Sequence, residues 1–255
     1  MQPDRNDNGQ TPLLAGEERG GGYALALPRN ALTGDAGRRT GASPGSSLEF
    51  KDFRDYQPGD DLRRVDWGAY ARSDRLAVRI YHDDVSPHAD IVVDGSRSMA
   101  LAGTRKADAT QFLAAFCAAA AANAGCSHRA WLTARGFREV AGSTGRPAAW
   151  QPLTFADTAP PTEAFAVMPP RWRRNGIRII LSDLLWLGDP LASLQMLSNG
   201  AAAVIVIQIL AQVDLEPGTR GNTTLVHSET GEEQRVYVDA VAEKQYRAVL
   251  RDHRQ

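Results

Sequence analysis

The 255-residue chain has only two cysteines, Cys117 and Cys126, which lack metal-ligand spacing. That argues against a disulfide framework and a zinc site, and makes a reducing compartment the default. An excess of one charge sign is also missing: 29 basic against 30 acidic residues leave a formal net charge of −1. No overall electrostatic case exists for binding nucleic acid or an anionic membrane. Long apolar runs are absent too. The stretches 112–122 and 201–210 are too short or too alanine-rich to span a bilayer. Residues 1–22 contain no apolar core and do not read as a signal peptide. A cytoplasmic protein with no membrane insertion is expected. The five histidines, His82, His88, His128, His227 and His253, are scattered without a local motif. No nucleophile–base pair stands out.

What is present is enough apolar content, 43%, for a sizeable core. The chain is organised around residues 89–99, ADIVVDGSRSM. The run 91–93 is β-branched and bounded by polar residues, so it reads as a buried strand. An Asp-x-Ser-x-Ser loop follows it. Asp94 offers a carboxylate, and Ser96 and Ser98 offer hydroxyls at alternate positions. All are hard oxygen donors, which suits Mg²⁺, Mn²⁺ or Ca²⁺ and not zinc. The plainer reading is a strand-to-helix turn in which Ser96 or Ser98 caps the next helix.

Along the chain, residues 1–22 read as a disordered tail and 35–47 as a mobile loop. Residues 23–29 read as a short strand or extended arm. Residues 48–75 are dense in charge and aromatics, with a turn at Pro58-Gly59. Asp60 or Asp61 can cap a helix over 62–70, with Leu62, Val65 and Ala69 on one face. Its arginines either form local ion pairs on a solvated helix, or Arg63, Arg64 and Arg72 form a recognition patch. Strands are expected at 76–81, 129–133, 137–140, 177–181 and 203–210. Helices are expected at 104–123, 162–167, 190–198 and 240–252. The long helix is expected to bury the face of Leu113, Phe116, Cys117 and Ala120. A hairpin is expected over 223–238 around Glu229–Glu232.

Strands alternate with helices from 89 to 210, which gives an α/β fold with a mostly parallel sheet. In a doubly wound order 3-2-1-4-5, the first and fourth strands are neighbours at the switch point. Asp183, just after the fourth strand, then approaches Asp94, Ser96 and Ser98.

Asp94-Gly95-Ser96-Arg97-Ser98 resembles the metal-ion-dependent adhesion site of von Willebrand factor A domains. That resemblance implies a doubly wound, Rossmann-type fold over 89–255 and Mg²⁺ held by Asp94, Ser96, Ser98 and Asp183. It also implies a threonine from a second loop, where Thr154 and Thr158 lie in the right interval. Residues 53–67, FRDYQPGDDLRRVDW, with Ala71-Arg72 and 76–79, resemble the signature of the bacterial family called domain of unknown function 58. In that family the signature, here within 23–88, leads into a von Willebrand A-like domain. The resemblance implies an adaptor role beside a MoxR-type AAA+ ATPase or another von Willebrand A protein. It assigns partner binding to Asp60, Asp61, Arg63, Arg64, Asp66, Trp67 and Arg72. The alternative is a metal-assisted phosphohydrolase with Asp94 as nucleophile and Lys106 near the phosphate.

Overall fold

A computed structural model of the chain describes residues 10–28, 31, 49–82, 87–167, 169–186, 190–216, 218 and 220–253. The expected mobile loop at 35–47 and the start of the expected tail, 1–9, lie outside the described residues. The rest of that tail corrects the sequence reading. Residues Pro12–Gly20 form a helix, α1, with Pro12 in its first turn and Thr11 as N-cap, its hydroxyl accepting from the Leu14 N–H. Residues 23–28 follow without regular structure, and the Leu25 N–H donates to the Ala120 carbonyl at 2.9 Å.

The signature region folds as a small unit. Strand β1, Glu49–Asp55, pairs antiparallel with β2, Ala77–His82. The helix expected over 62–70 is interrupted. Leu62–Arg64 make one 3-10 turn, Val65 bridges to Val78, and a separate helix α2 spans Trp67–Ser73. Burial of Val65 against the sheet takes its backbone out of the helical path.

The main body is a five-stranded sheet. Its elements are β3 His88–Val93, α3 Lys106–Asn123, β4 Ser127–Thr133, β5 Phe137–Glu139, α4 Pro161–Val167, β6 Ile177–Ser182, α5 Pro190–Ser198 and β7 Ala203–Gln208. The spatial order is β5-β4-β3-β6-β7, parallel throughout except that β5 runs antiparallel to β4. Counted from β3, that is the order 3-2-1-4-5, so β3 and β6 are neighbours at the switch point. After a short helix α6, Gln212–Leu215, come the hairpin strands β8 Gly221–Val226 and β9 Glu233–Val238. The last helix, α7, is Ala240–His253, with Asp239 accepting from the Val241 and Ala242 N–H groups.

Side chains alternate across the sheet, and both faces are covered. Ile91, Val93, Ile179 and Leu181 pack with Ala114 and Ala118 of α3 on one side. Val92 and Ile180 pack with Phe165 of α4 and Leu197 of α5 on the other. Helix α3 buries more than the expected face. Cys117 and Ala120 are buried, Leu113 and Phe116 half-buried, and Ala115, Ala119 and Ala121 are buried as well.

The reason is α1, which lies against α3. A Cβ added at Gly16 would lie 2.2 Å from the Phe112 carbonyl oxygen, and one at Gly20 would lie 2.5 Å from that of Phe116. The two glycines, one turn apart, let the helix backbones touch. Glu17 ties α1 to the 3-10 turn Pro147–Ala149 by accepting from Arg146 and from the Ala148 N–H.

Candidate functional site

The site is built where β3 ends. The Asp94 N–H continues the ladder onto the Leu181 carbonyl at 2.9 Å. The chain then passes so close to β4 that a Cβ at Gly95 would sit 2.1 Å from the Thr133 carbonyl oxygen. Only glycine fits that approach. The Thr133 hydroxyl accepts the Gly95 N–H at 3.1 Å. Held this way, the loop folds over Asp94, which is 1% exposed.

Both oxygens of Asp94 are engaged. Oδ1 accepts the Ser96 N–H at 2.9 Å. Oδ2 accepts the Ser182 hydroxyl at 2.5 Å and the Trp186 indole N–H at 2.8 Å. Burial pushes the Asp94 pKa up; hydrogen bonds from Ser182 and Ser96 pull the other way, and the Asp183 charge adds to the rise. The net direction is upward. The Ser96 and Ser98 hydroxyls are hydrogen-bonded to each other at 3.0 Å.

Asp94, Ser96 and Ser98 thus form one loop, and the residue that touches Asp94 from β6 is Ser182. Asp183 reaches past it. Its Oδ1 accepts the Leu185 N–H at 3.0 Å and its Oδ2 accepts from the Lys106 ammonium at 2.8 Å. The same ammonium contacts Asp214 Oδ2 at 3.0 Å. Lys106 and Asp183 are both almost fully buried. Lys106 is therefore a built-in cation between two acids and is not presented to a phosphate. Both oxygens of the buried Asp94 carboxylate are taken up by three hydrogen bonds within the protein.

Two residues passed over in the sequence complete the surroundings. Glu229, in the turn between β8 and β9, accepts the Arg97 N–H at 2.9 Å and the Ser98 N–H at 3.1 Å. Asp157 pairs with Ser96 in an isolated parallel bridge. Its Oδ1 accepts the Ala159 N–H, while its buried Oδ2 has no hydrogen-bond partner among the described residues. The second loop thus brings Asp157 beside Ser96. Thr154 is exposed and accepts from Arg138, and Thr158 is exposed. Among the described residues no group of three or more His, Cys, Asp and Glu side chains converges as a metal cluster. A cation here would rely on hydroxyl oxygens as much as on carboxylates.

In the signature, the acids have local partners. Asp60 accepts from Arg54 at 2.6 Å and from the Gln57 N–H at 2.8 Å. Asp61 accepts the Arg63 N–H, and buried Asp66 caps α2 through the Ala69 N–H. Arg63 and Arg72 are exposed, and Trp67 is 56% exposed with its ring edge-on to Tyr70. The Arg64 side chain lies outside the described residues.

At the opposite end of the sheet, the histidines are less scattered than they read. His88 Nδ1 is 2.8 Å from the Ser127 hydroxyl and its Nε2 is 3.2 Å from Asp90. Asp90 also accepts the Trp131 indole N–H at 2.9 Å. His88 and Asp90 lie on β3, and Ser127 and Trp131 on the adjacent parallel strand β4, so strand pairing brings them together.

The fold and this loop define the class: a doubly wound α/β protein with an acid-and-hydroxyl loop at its switch point. The chain belongs to the family described as "Protein of unknown function DUF58", which matches residues 52–255. It is similar to "Uncharacterized protein Rv1480" of Mycobacterium tuberculosis (strain H37Rv) and "Uncharacterized protein Mb1516" of Mycobacterium bovis. Each is 30% identical over 234 residues, covering 86% of this chain and 72% of the relative. No solved structure matches. Among the described residues no helix is long and apolar enough to cross a membrane.

Proposed function

We propose that the chain is a non-enzymatic protein-interaction module of von Willebrand A-like type. It works through a divalent cation at the Asp94–Ser98 loop, Mg²⁺ or Mn²⁺, and serves as adaptor to a MoxR-type AAA+ ATPase. The observation that carries this reading is the spacing of the two serine hydroxyls. Neighbouring ligands of an octahedral ion at about 2.0–2.1 Å lie about 2.8–3.0 Å apart, and Ser96 Oγ and Ser98 Oγ are 3.0 Å apart. Asp157, whose backbone bridges to Ser96, has a buried Oδ2 without a hydrogen-bond partner among the described residues, which a cation at this loop would satisfy. Ser96 and Ser98 would hold the ion, with Asp94 behind them and Asp183 contributing charge. The ion's chemistry is to accept a carboxylate oxygen from a partner. The exposed Arg63, Trp67 and Arg72 of the signature supply a second contact surface.

The test is Mn²⁺ titration followed by electron paramagnetic resonance, on the full chain and on Asp94→Ala, with generic phosphatase substrates run alongside. Binding by the wild type that Asp94→Ala loses, without turnover, supports the module. Turnover lost in the mutant would replace it with the phosphohydrolase. For the partner, Arg63→Ala/Arg64→Ala should weaken capture of a MoxR-type ATPase more than it lowers the melting temperature. A large fall in stability with capture intact would show those arginines to be structural.

A further inference from the structure

Taking the loop as the carboxylate-accepting site proposed above, we infer that the chain carries its own regulator of it, an internal acid seated there by the β8–β9 turn. Glu229 is the chain's own occupant of that place, which a partner's acid must displace.

Glu229 is 131 residues from Ser98 in sequence, yet its carboxylate straddles the loop: Oε2 takes the Arg97 N–H at 2.9 Å and Oε1 takes the Ser98 N–H at 3.1 Å. The Arg97 guanidinium donates to the Glu229 carbonyl at 3.4 Å, and the Ser228 hydroxyl donates to Oε1 at 3.4 Å. Bonds from N–H groups to a carboxylate are charge-assisted. They lie directly beside the paired serine hydroxyls, where a partner's acid is expected.

The turn is shaped to deliver this side chain. His227 Nδ1 accepts the N–H groups of both Glu229 and Thr230 at 3.2 Å. Gly231, at φ 76°, closes the turn by donating to the His227 carbonyl. The strands that carry it are open to solvent: Leu225, Val226 and Tyr237 are 52%, 60% and 67% exposed. The hairpin is therefore an arm whose tip is seated by its carboxylate.

Release is chemically simple. The Arg97 N–H is shared with the Asp157 carbonyl at 3.0 Å, so it keeps a partner when Glu229 leaves. A tethered carboxylate acts at an effective concentration of order millimolar, so removing it should improve capture of a free acid roughly tenfold or more.

The experiment uses the isotope-labelled full chain as wild type, Glu229→Gln, Glu229→Ala and, as control in the same turn, Glu232→Gln. Amide exchange of Arg97 and Ser98 is measured by NMR, and each protein is titrated with N-acetyl-glutamic acid amide. N-acetyl-glutamine amide serves as the neutral counterpart. Both Glu229 variants should exchange the Ser98 amide at least about tenfold faster, while the Arg97 amide, which keeps the Asp157 carbonyl, changes less and Glu232→Gln matches wild type. The acidic probe should shift the two signals at roughly tenfold lower concentration in the Glu229 variants, and the neutral probe should not shift them. Equal exchange in wild type and both Glu229 variants overturns the inference, as does equal response to the acidic probe. Mn²⁺ titration of the same samples separates the two readings. Protection that depends on Glu229 in a loop that binds no Mn²⁺ overturns the cation and leaves Glu229 standing. Mn²⁺ binding with unchanged protection does the reverse.

Discussion

Replacing Lys106 with methionine tests the electrostatics behind the candidate site. Methionine keeps most of the length and apolar packing of the stem and removes the charge. Two acids then lose their shared partner. Asp183 and Asp214 contact Lys106 at 2.8 and 3.0 Å, so their nearest oxygens are no more than about 6 Å apart. At an effective dielectric constant of about 20, two like charges at that distance repel by about 3 kcal/mol. Removing one partner of a buried pair costs about 3–5 kcal/mol in general. For a domain of this size each kcal/mol moves the melting temperature by about 2–4 °C, so a fall of about 6–20 °C is expected. Urea unfolding with an unchanged m-value checks that both variants unfold from the same compact state. Lys106→Met/Asp183→Asn/Asp214→Asn should recover at least half of the loss, because no uncompensated charge is left. A loss below about 1 kcal/mol for Lys106→Met would refute the reasoning, and would mean that water or another cation already serves these acids.

Mn²⁺ at a hundred times its Kd should stabilise the wild type by about 2.7 kcal/mol, or about 5–11 °C, by mass action; calorimetry should find no such gain for Asp94→Ala. Gly95→Ala drives a methyl group into the Thr133 carbonyl, so Mn²⁺ binding should be lost and stability should fall by about 1–3 kcal/mol on urea unfolding. Gly16→Ala meets the Phe112 carbonyl in the same way; faster proteolytic cleavage within residues 12–20, with the sheet still protected in hydrogen exchange, would show that α1 has lifted. Burial lowers the His128 pKa, against the hydrogen bond to the Ser143 carbonyl, which raises it; the charge of His88 lowers it further. Its neutral form is therefore favoured in the folded state, and the stability it contributes is present above the ordinary histidine value of about 6.5 and lost as pH falls below it. Urea unfolding at pH 7.5 and 5.5 should show a smaller loss for His128→Gln than for the wild type.

The sheet was legible because its central strands are buried on both sides. Runs such as 91–93 and 177–181 carry their own signal, and helices between them fix parallel order. Helix α1 carries little: its buried face is Pro12, Leu13, Gly16 and Gly20, and one leucine among glycines makes no hydrophobic periodicity. Strand β1, EFKDFRD, mixes charge with aromatics and reads as surface. Asp94, Ser96 and Ser98 are contiguous enough to find by eye. Glu229, Asp157 and Ser182 acquire their roles only through placement, since each reaches the loop from a distant segment. Lys106 is legible as a lysine near a helix start, but not as the counter-ion of Asp183 and Asp214. The cap at Asp61 follows from local spacing, whereas the cap at Asp66 does not, because the break before it depends on the bridge of Val65 to Val78.

The end helix closes over this region from above. Tyr246 donates from its hydroxyl to the Asp214 carbonyl at 2.7 Å, and His253 Nε2 lies 2.8 Å from the Leu184 carbonyl oxygen. Leu184 holds a left-handed backbone at φ 59° that neighbours must sustain. During synthesis the strands of the sheet emerge first. At about 5–20 residues per second, Glu229 follows Asp183 by about 2–9 s. Until then the Ser98 N–H lacks the carboxylate that takes it in the finished fold, so the arm is among the last contacts the chain can close.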